Sequence, residues 1–164
     1  MERNMKRRTF LQSLICLPIA LTVQRQASAQ SASVNIEPFV LTEQEWRQRL
    51  TPEQFYILRE EGTERAFSSA LNDEKRKGIF HCAGCGLELF SSEMKYDSGT
   101  GWPSFFTVIE GHIETQLDFK LIYPRTEYHC ARCGGHQGHV FNDGPKPTGQ
   151  RWCNNGLALK FVAS

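Results

Sequence analysis

The segments HCAGCG, His81 to Gly86, and HCARCG, His129 to Gly134, decide how this chain folds. Each reads as a strand residue, a cysteine, two further residues, a second cysteine and a glycine. Two such turns, brought together by the chain, aim the thiolates of Cys82, Cys85, Cys130 and Cys133 at one point, about 2.3 Å from a tetrahedral zinc ion. The glycine after the second cysteine lets the turn close while backbone amides point at the sulfurs. The competing arrangement is a disulfide within each pair, but a Cys-x-x-Cys bridge closes too small a loop to hold a fold together. With four protein ligands the metal keeps no open position, so its role is structural.

Outward from the knuckles, short runs such as Gly78 to His81, Phe105 to Glu110, Phe119 to Tyr123 and Glu127 to Cys130 are divided by Gly, Pro, Asp and Asn. That spacing predicts short antiparallel strands. The last run, Arg151 to Val162, is also extended, with Gly156 as a bulge or irregularity. Before the first knuckle stand two helix starts. In Thr42-Glu43-Gln44-Glu45 and Thr51-Pro52-Glu53-Gln54 a threonine is followed three residues later by Glu or Gln, and the second adds proline at the first helical position. Short helices over 42–49 and 52–61 follow, the second ended by Gly62. The fold class is mainly β, with a small helical N-terminal flap.

The start of the chain has a different character. KRRTFLQ is followed by an apolar run from Leu14 to Val23 and by Ala27-Ser28-Ala29, the order of an export signal. Arg7-Arg8, with Phe10 and Leu11 close behind, make it the twin-arginine kind. The alternative is an uncleaved anchor, yet the run is shorter than the ~20 residues a spanning helix needs. The expected organisation is a cleaved signal over 1–29, a flexible lead-in over 30–40, one domain over 41–164, and a destination in the bacterial periplasm or an equivalent compartment. The twin-arginine route carries folded proteins, so zinc can be loaded before the thiols meet an oxidant.

The chain carries 19 Lys and Arg against 18 Asp and Glu; residues 1–29 hold five of the former and one of the latter, leaving 14 against 17. That balance recommends no nucleic-acid partner, and Lys75-Arg76-Lys77 reads as a solvated turn. Cleavage removes Cys16, and an odd count of five cysteines remains, so one thiol has no internal partner.

That thiol is Cys153, in RWCNNG at 151–156. On an extended segment Arg151, Cys153 and Asn155 share a face. The guanidinium favours the thiolate and the amide offers a fixed hydrogen-bond donor, an arrangement suited to a nucleophile; the alternative is a buried structural cysteine. HQGHVFNDGP at 136–145 supplies two histidines three apart and an acid. A histidine near the thiol can donate a proton, and Asp143 can orient a histidine or pair with Arg151. His136 has a second possible role, bracing the adjacent knuckle. GTGWPSFF at 99–106 sets Trp102 in a loop defined by Gly and Pro, where its ring can wall a small apolar pocket or belong to the core. Leu157, Leu159 and Phe161 read as core alternation.

Taken together, GTGWPSF, HxGHVFxDGP, RxCxN, the two Cys-x-x-Cys pairs and LTPEQFYILREEGTERAF at 50–67 resemble the methionine-R-sulfoxide reductases over roughly residues 41–162. The resemblance implies two antiparallel β-sheets with a few peripheral helices and a structural zinc. It also implies a chemistry in which the Cys153 thiolate attacks the sulfur of a methionine sulfoxide in a protein or peptide. His139 is then the acid, His136 and Asn155 hydrogen-bond the substrate or its acid, and Trp102 receives the substrate methyl group. The cysteine becomes a sulfenic acid. Many family members carry a second cysteine before GWPSF; here that position is Thr100. The expected reductant is therefore external, a thioredoxin-like protein or a small thiol. Two other classes compete: a zinc-ribbon-like protein-interaction module without catalysis, and a cysteine hydrolase using Cys153 and His139.

Overall fold

The computed structural model describes residues 35–164; the export signal expected over 1–29 lies outside the described residues. In chain order the elements are α1 (Glu43–Arg49), α2 (Pro52–Glu60), β1 (Gly78–Cys82), β2 (Glu88–Ser91), β3 (Lys95–Tyr96), β4 (Ser104–Phe105), β5 (Ile113–Asp118), β6 (Arg125–Cys130), β7 (His136–Phe141), β8 (Arg151–Asn154) and β9 (Leu159–Ala163). They form two antiparallel sheets, one ordered β2-β1-β9 and one ordered β3-β4-β8-β7-β6-β5. Mainly β with two short helices is therefore the observed class. Among the described residues no helix is long and apolar enough to cross a membrane.

Both helices begin where their capping boxes place them. The Thr42 hydroxyl accepts from the Glu45 amide and the Glu45 carboxylate returns to the Thr42 amide at 2.7 Å. Thr51 and Gln54 repeat the exchange at 3.2 Å in each direction. Each threonine cap contributes on the order of 1 kcal/mol. The end of α2 differs from expectation: the left-handed cap residue is Glu61, with φ 54°. Gly62 serves close packing instead, since a β-carbon there would lie 2.2 Å from the Tyr56 ring. Ile36, Phe39 and Leu41 rest on the core, and the Phe39 amide donates to the Arg132 carbonyl at 2.7 Å. The described part of the lead-in is thus laid along the domain.

The core is aromatic and is supplied by both sheets. Phe80 of β1, Phe90 of β2, Phe105 of β4 and Tyr128 of β6 are completely buried. Phe90 and Phe105 stack with centroids 3.9 Å apart, and Phe80 meets Phe105 edge-on at 5.0 Å. Tyr128 in turn sits edge-on to Trp152 of β8 at 5.0 Å. Rings from opposite layers therefore interlock and seat the strand that carries Cys153.

Several strand expectations are corrected by this arrangement. Of the run Phe105 to Glu110 only Phe105 is strand, as the last residue of Ser104–Phe105. Phe119 to Tyr123 is the exposed tip between β5 and β6; its apolar residues mimicked a strand while the true strand, IETQLD, was masked by polarity. The long run Arg151 to Val162 is two strands in different sheets, separated by a 3-10 turn at Gly156–Ala158. That turn breaks the alternation, which leaves Leu157 39% exposed while Leu159 is buried and Phe161 packs against the core. Its amides are held by Glu64, whose carboxylate accepts from Gly156 at 2.6 Å and from Leu157 at 3.0 Å.

Phe105→Ala is expected to lower the unfolding free energy by about 3–5 kcal/mol, because it empties the stack between the sheets. Phe119→Ala, at an exposed position, is expected to change it by less than about 0.5 kcal/mol. Urea unfolding of both variants reads the contrast.

Candidate functional site

The two knuckles meet, and their sulfurs decide between the two chemistries open to them. All four lie within 4.8 Å of one another. Cys82 and Cys133 sulfurs are 3.7 Å apart and those of Cys85 and Cys130 3.5 Å. Four sulfurs at about 2.3 Å from a central zinc are separated by about 3.8 Å, whereas a disulfide needs about 2.05 Å. The close pairs also join one knuckle to the other, which disulfides within each Cys-x-x-Cys do not do. The cluster therefore fits a four-cysteine zinc ion, which would cross-link the fold. The knuckles are built alike: Gly86 (φ 78°) donates to the Cys82 carbonyl and Gly134 (φ 66°) to the Cys130 carbonyl, each at 2.8 Å. Only glycine reaches that backbone region at no steric cost. The helices are tied to the same place, through Arg49 to the Gly84 carbonyl at 2.7 Å and Arg59 to the Cys133 carbonyl at 2.9 Å.

Gln137 leads from the metal cluster to the second site. It is completely buried. Its side-chain nitrogen reaches the Cys82 sulfur at 3.5 Å, and its carbonyl accepts the Asn155 amide and side-chain Nδ2 at 2.8 and 3.0 Å. The residue between the two histidines thus spans the distance from a zinc ligand to the end of β8.

Cys153 lies on β8 between β4 and β7, paired in register with Ser104 on one side and His139 on the other. Strands β7 and β8 approach closely at Gly138, where a β-carbon would lie 1.9 Å from the Cys153 carbonyl. A cavity of about 130 Å³ opens over the thiol, its walls including Trp102, Arg125, His139, Phe141 and Asn155. The Trp102 indole nitrogen donates to the Glu64 carbonyl at 3.1 Å, which fixes the ring.

The electrostatics differ in one respect from the reading of the sequence. Arg151 does act on the thiol, but burial pushes Cys153 up first, and the Arg151 charge with a Thr100 hydrogen bond only opposes that rise. The resting form is therefore the thiol. Arg151 is itself held by Asp143 through two bonds of 2.8 and 2.9 Å and lies over the Phe141 ring at 4.3 Å. Of the two partners open to Asp143, the structure gives it Arg151.

The histidines are placed unequally. His139 lines the cavity, and its Nε2 is 2.8 Å from Asp118 Oδ2. Burial draws its pKa below the ordinary value, and the Asp118 carboxylate partly restores it. His136 is buried behind it, Nδ1 on Glu127 at 2.6 Å, with its ring centroid 5.5 Å from that of His139 and its Nε2 without a partner. Asn155 borders the cavity, yet its amide is already committed: the oxygen accepts the Glu64 amide at 3.0 Å and the nitrogen serves Gln137. Asn154 beside it accepts the Tyr128 hydroxyl at 2.8 Å.

Sequence reasoning passed over Asp118, Arg125, Glu127 and Glu64. Asp118 and Arg125 are cross-strand partners at the mouth of the β5–β6 hairpin. Their opposite charges flanking FKLIYP were the one signal available, and it was usable only once the hairpin was placed correctly. Glu64 carried no signal, because the partners of its carboxylate lie more than 90 residues away.

A family model described as the SelR domain matches residues 50–163. Over 124 residues the chain is 52% identical to peptide methionine sulfoxide reductase B1, chloroplastic, of Arabidopsis thaliana, a match that covers 75% of this chain and 61% of that protein. It is 53% identical over 122 residues to the peptide methionine sulfoxide reductase MsrB of Methanosarcina mazei, covering 74% and 87% respectively. The corresponding Leptospira interrogans protein is 52% identical over 121 residues, covering 73% and 92%. The chain thus spans less than two thirds of the plant protein and most of the other two.

Purified protein is expected to hold one zinc per chain by metal analysis, and Cys130→Ser to hold little or none. Loss of the ion removes several kcal/mol of folding free energy, so the chelated protein should melt roughly 10 °C or more below the untreated protein. An unchanged melting curve after complete metal removal would oppose the cross-linking role.

Proposed function

The chain belongs to the SelR family of peptide methionine sulfoxide reductases, and on that premise we propose that it reduces methionine-R-sulfoxide in proteins or peptides to methionine at Cys153. The observation that carries the proposal is the pairing of Cys153 with His139 across adjacent strands, under a cavity walled by Trp102. A binding module has no need of a half-buried thiol set opposite a histidine under a cavity.

The reaction has to balance one proton. Attack of the thiolate on the sulfoxide sulfur, with a proton delivered to the oxygen, leaves a sulfide and a sulfenic acid on Cys153. The reactive pair therefore carries a single proton, on the imidazole and not on the sulfur. Burial of both groups holds that proton on sulfur at rest. Arg151, anchored by Asp143, favours the charged thiolate, and His139 hands the proton to the sulfoxide oxygen. Trp102 receives the substrate methyl. His136 takes the supporting place behind His139, and Asn155 keeps the floor of the cavity in register. Zinc, when bound by Cys82, Cys85, Cys130 and Cys133, supplies cross-linking and no open ligand position.

Two external thiols complete the cycle. The first condenses with the sulfenic acid, releasing water and forming a mixed disulfide; the second displaces Cys153 as the thiol and leaves as a disulfide with the first. With Thr100 beside the nucleophile and the other four mature thiols in the metal cluster, a thioredoxin-like protein or a small thiol fills this part. Export through the twin-arginine route, with work in the periplasm or an equivalent compartment, belongs to the same proposal and is supported by the order of residues 1–29.

One turnover on the R epimer of a methionyl-sulfoxide peptide without reductant should add a single oxygen to Cys153 with no intramolecular disulfide, read by mass spectrometry. Cys153→Ser should give no product, and equal activity of variant and parent would remove the proposal. In single-turnover rates a bell is expected. It rises through a pKa governed by His139, below the ordinary 6.5, because at lower pH the pair holds two protons and no thiolate. It falls through one governed by Cys153, above 9.0, where the pair holds none.

A further inference from the structure

Asp118 is the last residue of β5, outside every motif that led to the site. Its carboxylate is gripped from three directions. Oδ1 accepts the Lys120 amide at 2.8 Å, while Oδ2 accepts Arg125 Nη2 at 2.5 Å and faces His139 Nε2 at 2.8 Å. The Lys120 amide first, and then His139 and Arg125, hold this carboxyl well below the usual range against the opposing effect of burial. An ionised carboxylate has no proton to give, so the hydrogen in its bond with His139 belongs to the imidazole. Nε2 is therefore protonated in both charge states of the ring, and Nδ1 is the nitrogen left to exchange a proton with sulfur or sulfoxide.

From this geometry, and resting on the reductase reading above, we infer that Asp118 is a positioning residue that fixes the ring and tautomer of His139 and so commits Nδ1 to proton transfer at the sulfoxide. Other groups around His139 do not replace it. Arg125 on β6 and His136, on β7 with His139 itself, both disfavour the charged imidazole. Glu127, its register partner on β6, is committed to His136 and His129. Cys153, with Arg151 two residues before it, lies on β8 and is the source of the proton and not an anchor for the ring. Asp118 is thus the carboxylate that supports the imidazolium as it forms. Removing its charge shifts the single proton of the reactive pair further toward sulfur. A shift of one unit in the imidazole lowers the reactive fraction about tenfold.

The test compares Asp118→Asn and Asp118→Glu with the parent in single-turnover rates across pH, beside nitrogen NMR of the His139 ring in the free, zinc-loaded protein. Asp118→Asn is expected to lower the plateau rate about tenfold or more and to move the low-pH limb to lower pH, at unchanged zinc content. Asp118→Glu is expected to recover part of both. In the parent, Nε2 should stay protonated throughout while Nδ1 titrates. A parent ring protonated on Nδ1 when neutral overturns the inference, as does an Asp118→Asn protein whose rate or low-pH limb is unchanged. Should Asp118→Asn not fold, the parent spectrum decides. An inactive parent would refute the reductase reading, and the ring spectrum would still judge Asp118.

Discussion

Convergence of four sulfurs within 4.8 Å of one another is the constraint on which the remainder of this domain depends. One pair leaves the end of β1, in the three-stranded sheet, and the other leaves the end of β6, in the six-stranded one. A metal held there joins the two layers at a point where no strand hydrogen bonds connect them. The helices are recruited to the same junction by Arg49 and Arg59, each bonded to a knuckle carbonyl. A domain of this size has a modest apolar core, and a metal cross-link supplies what that core does not.

The β7–β8 pair, which sets His139 opposite Cys153, is a consequence of this junction. Strand β7 begins two residues after Gly134, so the second knuckle sets where His136, Gln137 and His139 fall. Gln137 turns inward and binds both a zinc-site sulfur and the end of β8. From the other side Glu64 secures the Gly156 turn and, through its carbonyl, the Trp102 ring. Cys153 is thus held between two anchored points with little freedom to move, which suits a reaction whose geometry must be met within a fraction of an ångström.

Rigidity and burial exact a cost in protonation. Cys153 and His139 are both pushed toward their neutral forms by desolvation. The surrounding charges answer this one at a time: Arg151 toward sulfur, Asp118 toward the imidazole, each steadied by a partner of opposite sign, Asp143 and Arg125.

The knuckles, capping boxes and lone thiol were legible in the sequence because each is local: spacing of two residues between cysteines, three between cap and carboxylate, and a count that left Cys153 over. The signatures around Trp102, His139 and Cys153 were legible for the same reason. What the sequence by itself determined was therefore the metal cluster, the helix starts and the family resemblance that those signatures carry. Tertiary structure alone decided the rest. It moved Phe119 to Tyr123 out of a strand and into a tip, and it divided the final run between two sheets at Gly156. It brought Asp118 to His139 and Glu64 to Gly156. Those contacts span 21 and 92 residues, and no periodicity encodes a partner that only the crossing of strands brings near.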